Sequence, residues 1–354
     1  MSVSSTLDRY TDRLAGMDPN AFIGSLLWFS ITGVIDRTDG KRSTVPVRVT
    51  RDLLAQWFDE LKLNPAFLPP QIGKANAFRA ASTDMDRSYD IDANGRSASL
   101  MVREVLFDDE RIVRHITMET RDRKGATLTY DKVCSITFYR GAKARGSVAT
   151  GEHYKYRIVD GLAPQDRAQV EVLLKDLQAR YDDLTVNLQS QAIRTVIRNY
   201  VTHLNAIPVK PSGGLYFIHN SHQDELNSLQ ALVARIGQGC SFSQCPLVDT
   251  SEQRTMLTEA FEDDVEDEVR LLLEDLAEVK DKAKAKGKTR DFVTPQSYAA
   301  AMNKWQRIAG RSAEYTDKLG LRQERAASAL DVALKAVLEM QRNLQTPASK
   351  KGGK

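Results

Sequence analysis

Residues 251–286 read SEQRTMLTEAFEDDVEDEVRLLLEDLAEVKDKAKAK, a stretch with neither glycine nor proline. Leu257, Phe261, Val265, Val269, Leu272, Leu276, Val279 and Ala283 recur in it at steps of three and four residues. That spacing lays them along one stripe of a helix. At ~1.5 Å per residue the helix spans about 50 Å. Its period starts near eleven residues and settles into a heptad rhythm. Asp249 and Glu252 form a capping pattern ahead of it.

A second helix is announced by Thr294-Pro295, a capping residue followed by proline at the first helical position. Tyr298, Met302, Trp305, Ala309, Ser312, Tyr315, Leu319, Ala326, Leu330, Ala333, Val337 and Leu344 supply its seam. Two long helices with a short polar link predict an antiparallel coiled-coil hairpin over residues 247–346, followed by a disordered tail, 347–354. Such a hairpin serves as a spacer, a dimerisation arm or a docking surface. The candidate interaction seam is Leu257, Phe261, Val265, Val269, Leu272 and Leu276, meeting a second copy or another protein. A stripe of this kind can also pack on its own chain, and both leave the same pattern.

Upstream, residues 161–246 read as helical with one short strand. Pro164 suits a first helical position, and Val170, Leu173, Leu174, Leu177, Tyr181, Leu184 and Leu188 keep helical spacing, with a break expected at Asp182-Asp183 or Asn187. Leu215 to Ile218 forms the strand, and Ser221 with Asp224 reads as a capping box for the next helix.

Residues 1–160 read as a mixed α/β region. Ser30–Ile35 and Thr44–Val49 suit a hairpin, and Thr50 suits the cap of a helix carrying Leu53, Leu54, Trp57, Phe58 and Leu61. Asn94-Gly95 is the favoured dipeptide of a two-residue hairpin turn. Strands flanking it, then Arg111–Arg121, Ala126–Tyr139 and Tyr154–Val159, make an antiparallel meander. The fold class is therefore α+β: an antiparallel meander with helices and a C-terminal antiparallel coiled-coil hairpin.

The 354 residues are 42% hydrophobic and 27% charged, which excludes wholesale disorder. Fifty basic and 47 acidic residues give a net charge of +3, so any polyanion must be held by a local patch. Three cysteines cannot make a disulfide framework and point to a reducing compartment. The longest apolar stretch, Ala21–Val34, is too short to span a bilayer and reads as a buried strand or short helix. These features predict a cytoplasmic protein without membrane attachment.

Four features are candidates for chemistry. His219, His222, Cys240 and Cys245 give H-x2-H and C-x4-C pairs, ligand types that zinc takes. Asp90–Gly95 has the start of a calcium loop, but Met101 stands where the bidentate acid belongs. The link between the two long helices carries Lys280, Lys282, Lys284, Lys286, Lys288 and Arg290, either a solvated end that suits the helix dipole or a phosphate-contacting tip. Arg114, Arg121, Arg123, Lys124, Lys132, Arg140, Lys143 and Arg145 give the meander a basic cast. Such residues keep an exposed sheet soluble or contact nucleic acid. No nucleotide-binding loop, nucleophile elbow or zinc-protease motif occurs, so no cofactor and no catalytic residue is indicated.

The order of a mixed N-terminal region, the strand Gly213-Gly-Leu-Tyr-Phe217, a capped helix and a long coiled coil resembles uncharacterised proteins of phages and bacterial mobile elements. The resemblance covers residues 160–340 and implies no activity. The leading reading is a non-enzymatic assembly or interaction protein; the alternatives are a nucleic-acid-associated protein and a zinc-containing one.

Overall fold

The computed structural model describes residues 18, 21–32, 34–36, 43–45, 47–92, 95–121, 126–141, 153–210, 214–237, 239–285, 294–320 and 323–345. In chain order the elements are β1 (Phe22–Ile31), β2 (Val34–Asp36), β3 (Ser43–Val45), α1 (Arg51–Glu60), α2 (Lys74–Ala81), β4 (Asp86–Asp90), β5 (Ser97–Phe107), β6 (Arg111–Arg121), β7 (Thr127–Tyr139) and β8 (His153–Ile158). They continue with α3 (Pro164–Val186), α4 (Ser190–His203), β9 (Ile207–Pro208), β10 (Tyr216–His219), α5 (Gln223–Ile236), β11 (Cys240–Val248), α6 (Ser251–Ala285), α7 (Pro295–Leu319) and α8 (Glu324–Gln345). The described strands pair antiparallel in separate sheets beside eight helices, so the class is α+β. No helix among the described residues is long and apolar enough to cross a membrane.

The chain divides into two units, each built from discontinuous segments. One unit is residues 45–59 and 68–193; the other joins residues up to 44 with 60–67 and those from 194 onward. The cause is β1, which pairs with β10 and β11 far along the chain. The apolar stretch read as strand or helix is thus a strand, held between two partners.

In the first unit, β4 to β8 form a five-stranded meander in chain order. Gly95, at φ 85°, supplies the left-handed backbone that the turn before β5 needs. Leu100, Ile112, Ile116, Ile136 and Phe138 point to one face and are fully buried. Phe78 and Ala81 of α2 and Val170, Leu173, Leu174 and Leu177 of α3 cover that face. Tyr89 donates to Asp166 at 2.6 Å and Arg87 to Gln169 at 2.6 Å, fastening β4 to α3. Asn187, in extended conformation, ends α3 where a break was expected. The Thr50 hydroxyl accepts from the Leu53 N–H at 3.1 Å and caps α1.

The second unit holds a four-stranded sheet in the order β11-β1-β10-β9. Ile23, Ile207, Phe217 and Leu247 of that sheet join a core with α6, α7 and α8. Leu257, Phe261, Val265, Val269, Leu272 and Leu276 are all buried in it, none more than 7% exposed. Arg311 pairs with Asp264 at 2.5 Å and Lys304 with Asp275 at 2.9 Å, a register that runs α7 antiparallel to α6. Thr294 and Ser297 form a reciprocal capping box at the start of α7. The second arm is shorter than predicted: Gly320, at φ 59°, ends α7 in a left-handed cap. The chain then turns back as α8, whose Leu330 carbonyl accepts from Trp305 at 3.1 Å and whose approach places Gln323 on Ser312.

Candidate functional site

One face of the meander packs on helices, and period-two alternation sends the intervening side chains to the other. Register then decides which of them are neighbours. Arg103 of β5, His115 of β6, Ser135 of β7 and Arg157 of β8 fall in one row across four strands. One row to one side holds Met101, Thr117 and Lys132; one row to the other holds Val113, Thr137 and Lys155. Glu119 and Tyr130 are opposite one another further along, and Arg111, Tyr139 and His153 close the far end.

The face is cationic over β5 to β8. Arg103, Arg111, Arg121, Lys132, Lys155 and Arg157 are all exposed on it. The carboxylate on the same face of those strands, among the described residues, is Glu119, paired with Arg121 at 3.1 Å. Asp86 and Asp90 of β4 put negative charge at the opposite edge, so the surface is polarised across the sheet. The Arg157 side chain is 86% exposed, with Asp160 3.8 Å away. Burial, with a contribution from Lys132, holds the His115 imidazole below its ordinary value. Tyr130 and Tyr139 are exposed among these charges, and Tyr139 stacks on His153 at 5.3 Å.

The basic residues picked from sequence divide into groups. Arg121 and Lys132 belong to this face. Arg114 does not: it is buried on the helix-covered side and pairs with Glu104 at 2.9 Å. Arg140 stacks over Phe107 at 4.9 Å, with Arg79 over the same ring at 4.7 Å. Arg123, Lys124, Lys143 and Arg145 lie outside the described residues. Arg103, His115, Lys155 and Arg157 were not singled out in the sequence, although the alternation in His153-Tyr-Lys-Tyr-Arg157 carries the signal.

The four proposed zinc ligands do not converge. Cys240 and Cys245 lie on β11, opposite Ile31 and Leu26 of β1. His219 ends β10, opposite Gly24, on the other side of β1. Among the described residues no three His, Cys, Asp or Glu side chains gather as a metal site. The histidines have other partners. The Ser221 N–H donates to His219 Nδ1 at 3.2 Å, making His219 the cap of the helical turn at residues 220–222. The predicted capping box from Ser221 to Asp224 is not formed; α5 begins after His222 without a side-chain cap. Lys318 instead donates to the Ser221 hydroxyl at 2.9 Å, while His222 lies 3.6 Å from Glu314. Burial and the nearby Lys318 keep His219 below the ordinary imidazole range.

Of the proposed phosphate tip, Lys280, Lys282 and Lys284 belong to the last turns of α6. Lys286, Lys288 and Arg290 lie outside the described residues.

Fold and surface together define an α+β protein with a cationic sheet face in one unit and a helical bundle in the other. The chain belongs to the family of unknown function DUF6744, which it matches over residues 22–347. No curated protein and no solved structure matches it. Nothing in the family match indicates a phage or mobile-element origin.

Proposed function

We propose that this protein binds nucleic acid, with the exposed face of the β4–β8 sheet as its phosphate-contacting surface. The observation that carries the reading is the in-register row from Arg103 to Arg157, flanked by Lys132 and Lys155. A rigid sheet fixes these charges at strand spacing, so a polyanion meets them without first ordering a loop. Phosphate contacts of this kind give affinity and strong salt dependence but no sequence preference.

Lysine footprinting tests the assignment. With a bound oligonucleotide, Lys132 and Lys155 are protected from acylation, while Lys335, on the helical bundle and 73% exposed, reacts as before. Equal reactivity of Lys132 and Lys155 with and without bound oligonucleotide rejects the surface. No binding of any oligonucleotide at low salt rejects the function.

A second reading, docking of a protein partner, is favoured by an apolar groove on the bundle. Val269, Leu273 and Ala277 of α6 face Ala329 and Val332 of α8 across about 480 Å³, and Val332 is 50% exposed. The groove shares Val269 with the seam predicted for assembly, whose residues are otherwise buried within the chain. Mass in solution before and after Val332→Asp tests self-association through the groove; an unchanged mass rules it out.

A further inference from the structure

Resting on the nucleic-acid reading, we propose that the strand bound is single-stranded and that one of its bases stacks on Tyr156, in the cleft beside β8. The cleft is a shallow, open hollow of about 720 Å³ between β8, the start of α2 and the end of α3. Lys74, Tyr154, Lys155, Tyr156, Gln178 and Tyr181 line it. That volume lies within the roughly 300–1,000 Å³ of small-ligand sites.

The floor is rigid. The Tyr154 ring stands 5.5 Å from Phe78 and edge-on to Tyr181 at 5.6 Å, and its hydroxyl is bonded to Gln178. Tyr156, two residues along and on the same side of the strand, is 56% exposed at the rim. Its ring offers the flat apolar surface that every base accepts. A second hollow of about 400 Å³ shares Tyr154, Tyr156 and Gln178 and adds Lys175 and the Arg167–Glu171 pair, so Tyr156 lies between two polar hollows, each with a lysine in its lining.

Alternation in β8 links the cleft to the sheet face. Lys155 and Arg157 are in register with the exposed row residues, whereas Tyr154 and Tyr156 are turned to the helix side. A strand whose phosphates follow the face therefore reaches the β8 edge beside two tyrosines. A duplex keeps its base faces stacked inside and cannot use them, so the cleft discriminates in favour of single strands. Beside an edge strand, a peptide adding to the sheet is the competing occupant. The basic residues on β8 blunt the edge against such pairing, and Lys74 and Lys155 in the cleft suit a phosphodiester.

The test is fluorescence anisotropy with labelled oligo(dT) and a duplex of equal length, using the full chain and its Tyr156→Ala and Tyr156→Phe variants. The proposal expects the wild type to prefer oligo(dT). Tyr156→Ala loses roughly ten-fold or more for oligo(dT) and nothing for the duplex, while Tyr156→Phe retains wild-type affinity. Unaltered oligo(dT) binding by Tyr156→Ala, or equal wild-type affinity for both probes, overturns the cleft assignment and leaves the nucleic-acid reading standing. Full displacement of oligo(dT) by an unstructured acidic peptide of equal charge gives the cleft to a peptide and overturns it as well. Failure of the wild type to bind either probe at low salt overturns both readings.

Discussion

Arg103 and Arg157 stand at the two ends of one cross-strand row, with His115 and Ser135 between them. Three strand spacings of ~4.8 Å put their backbones about 14 Å apart. They are far apart in sequence and share a face because β5 to β8 pair in chain order and no bulge interrupts this row. Lys132 and Lys155 sit on the neighbouring rows and Arg111 and Arg121 further out, so the surface is a field rather than a single contact.

His115 gives this field a pH dependence. Burial, with the Lys132 charge beside it, depresses its imidazole below the ordinary value. The unfolded chain then takes up the proton at a higher pH than the folded one. Stability falls as pH drops from ~6.5 toward the depressed native value. A bound polyanion favours the imidazolium, so affinity rises over the same interval. His115→Gln removes this part of both trends; urea midpoints and anisotropy at about pH 7 and about pH 5 measure it. Identical pH profiles for variant and wild type contradict the assignment.

Leu272 is 1% exposed within the bundle of α6, α7 and α8. Leu272→Ala leaves a cavity in the chain's own core and costs about 2–5 kcal/mol of stability. Sedimentation of the folded variant gives the wild-type mass. A drop in mass with unchanged stability shows that the seam joins separate chains instead.

Arg311 is 7% exposed, pairs with Asp264 and Glu268 and stacks over Phe261 at 5.3 Å. Burial pushes the Asp264 carboxyl up, and Arg311 pulls it back. Arg311→Ala strands that charge and costs about 3–5 kcal/mol, whereas the double variant Arg311→Met/Asp264→Leu loses much less. Thermal unfolding of the single and double variants decides this; equal losses contradict the coupling.

Gly24 has the carbonyl of Ile218 where a Cβ would stand, and the Phe217 ring 2.7 Å from that position. Gly24→Ala forces β1 away from β10 and destabilises the sheet by about 1–3 kcal/mol or more. Chemical denaturation tests this, and a variant as stable as the wild type shows that the strands do not approach so closely.

The helical end was legible because its apolar stripe is long, regular and free of breakers, and the meander because Asn94-Gly95 and the alternation of Arg111–Arg121 are local signals. The break at Gly320 was hidden by a seam that continues on both sides of it. β11 was missed for a physical reason. Its sequence, CSFSQCPLV, has no β-branched run and contains Pro246, tolerated because β11 is an edge strand. Its partner lies more than two hundred residues earlier, so nothing nearby announces it. That miss left two strand cysteines standing as candidate zinc ligands. The cationic face was only half visible because proximity along the chain is not proximity on a sheet. Arg114 and His115 are neighbours in sequence and point to opposite faces. Bulges between Glu104 and Leu106 and between Ile116 and Thr117 shift the alternation again.

The central claim is that phosphates meet the face carrying Arg103 and Arg157. The direct measurement is the slope of log affinity against log salt for oligo(dT), compared between the wild type and Arg103→Gln/Arg157→Gln. Six cations engaged on the face give a wild-type slope near −4, from ~0.7 per contact on a single strand. The double variant should bind more weakly, with a slope shallower by about 1.4. A variant with the wild-type slope and affinity would show that the phosphates lie elsewhere and would contradict the account.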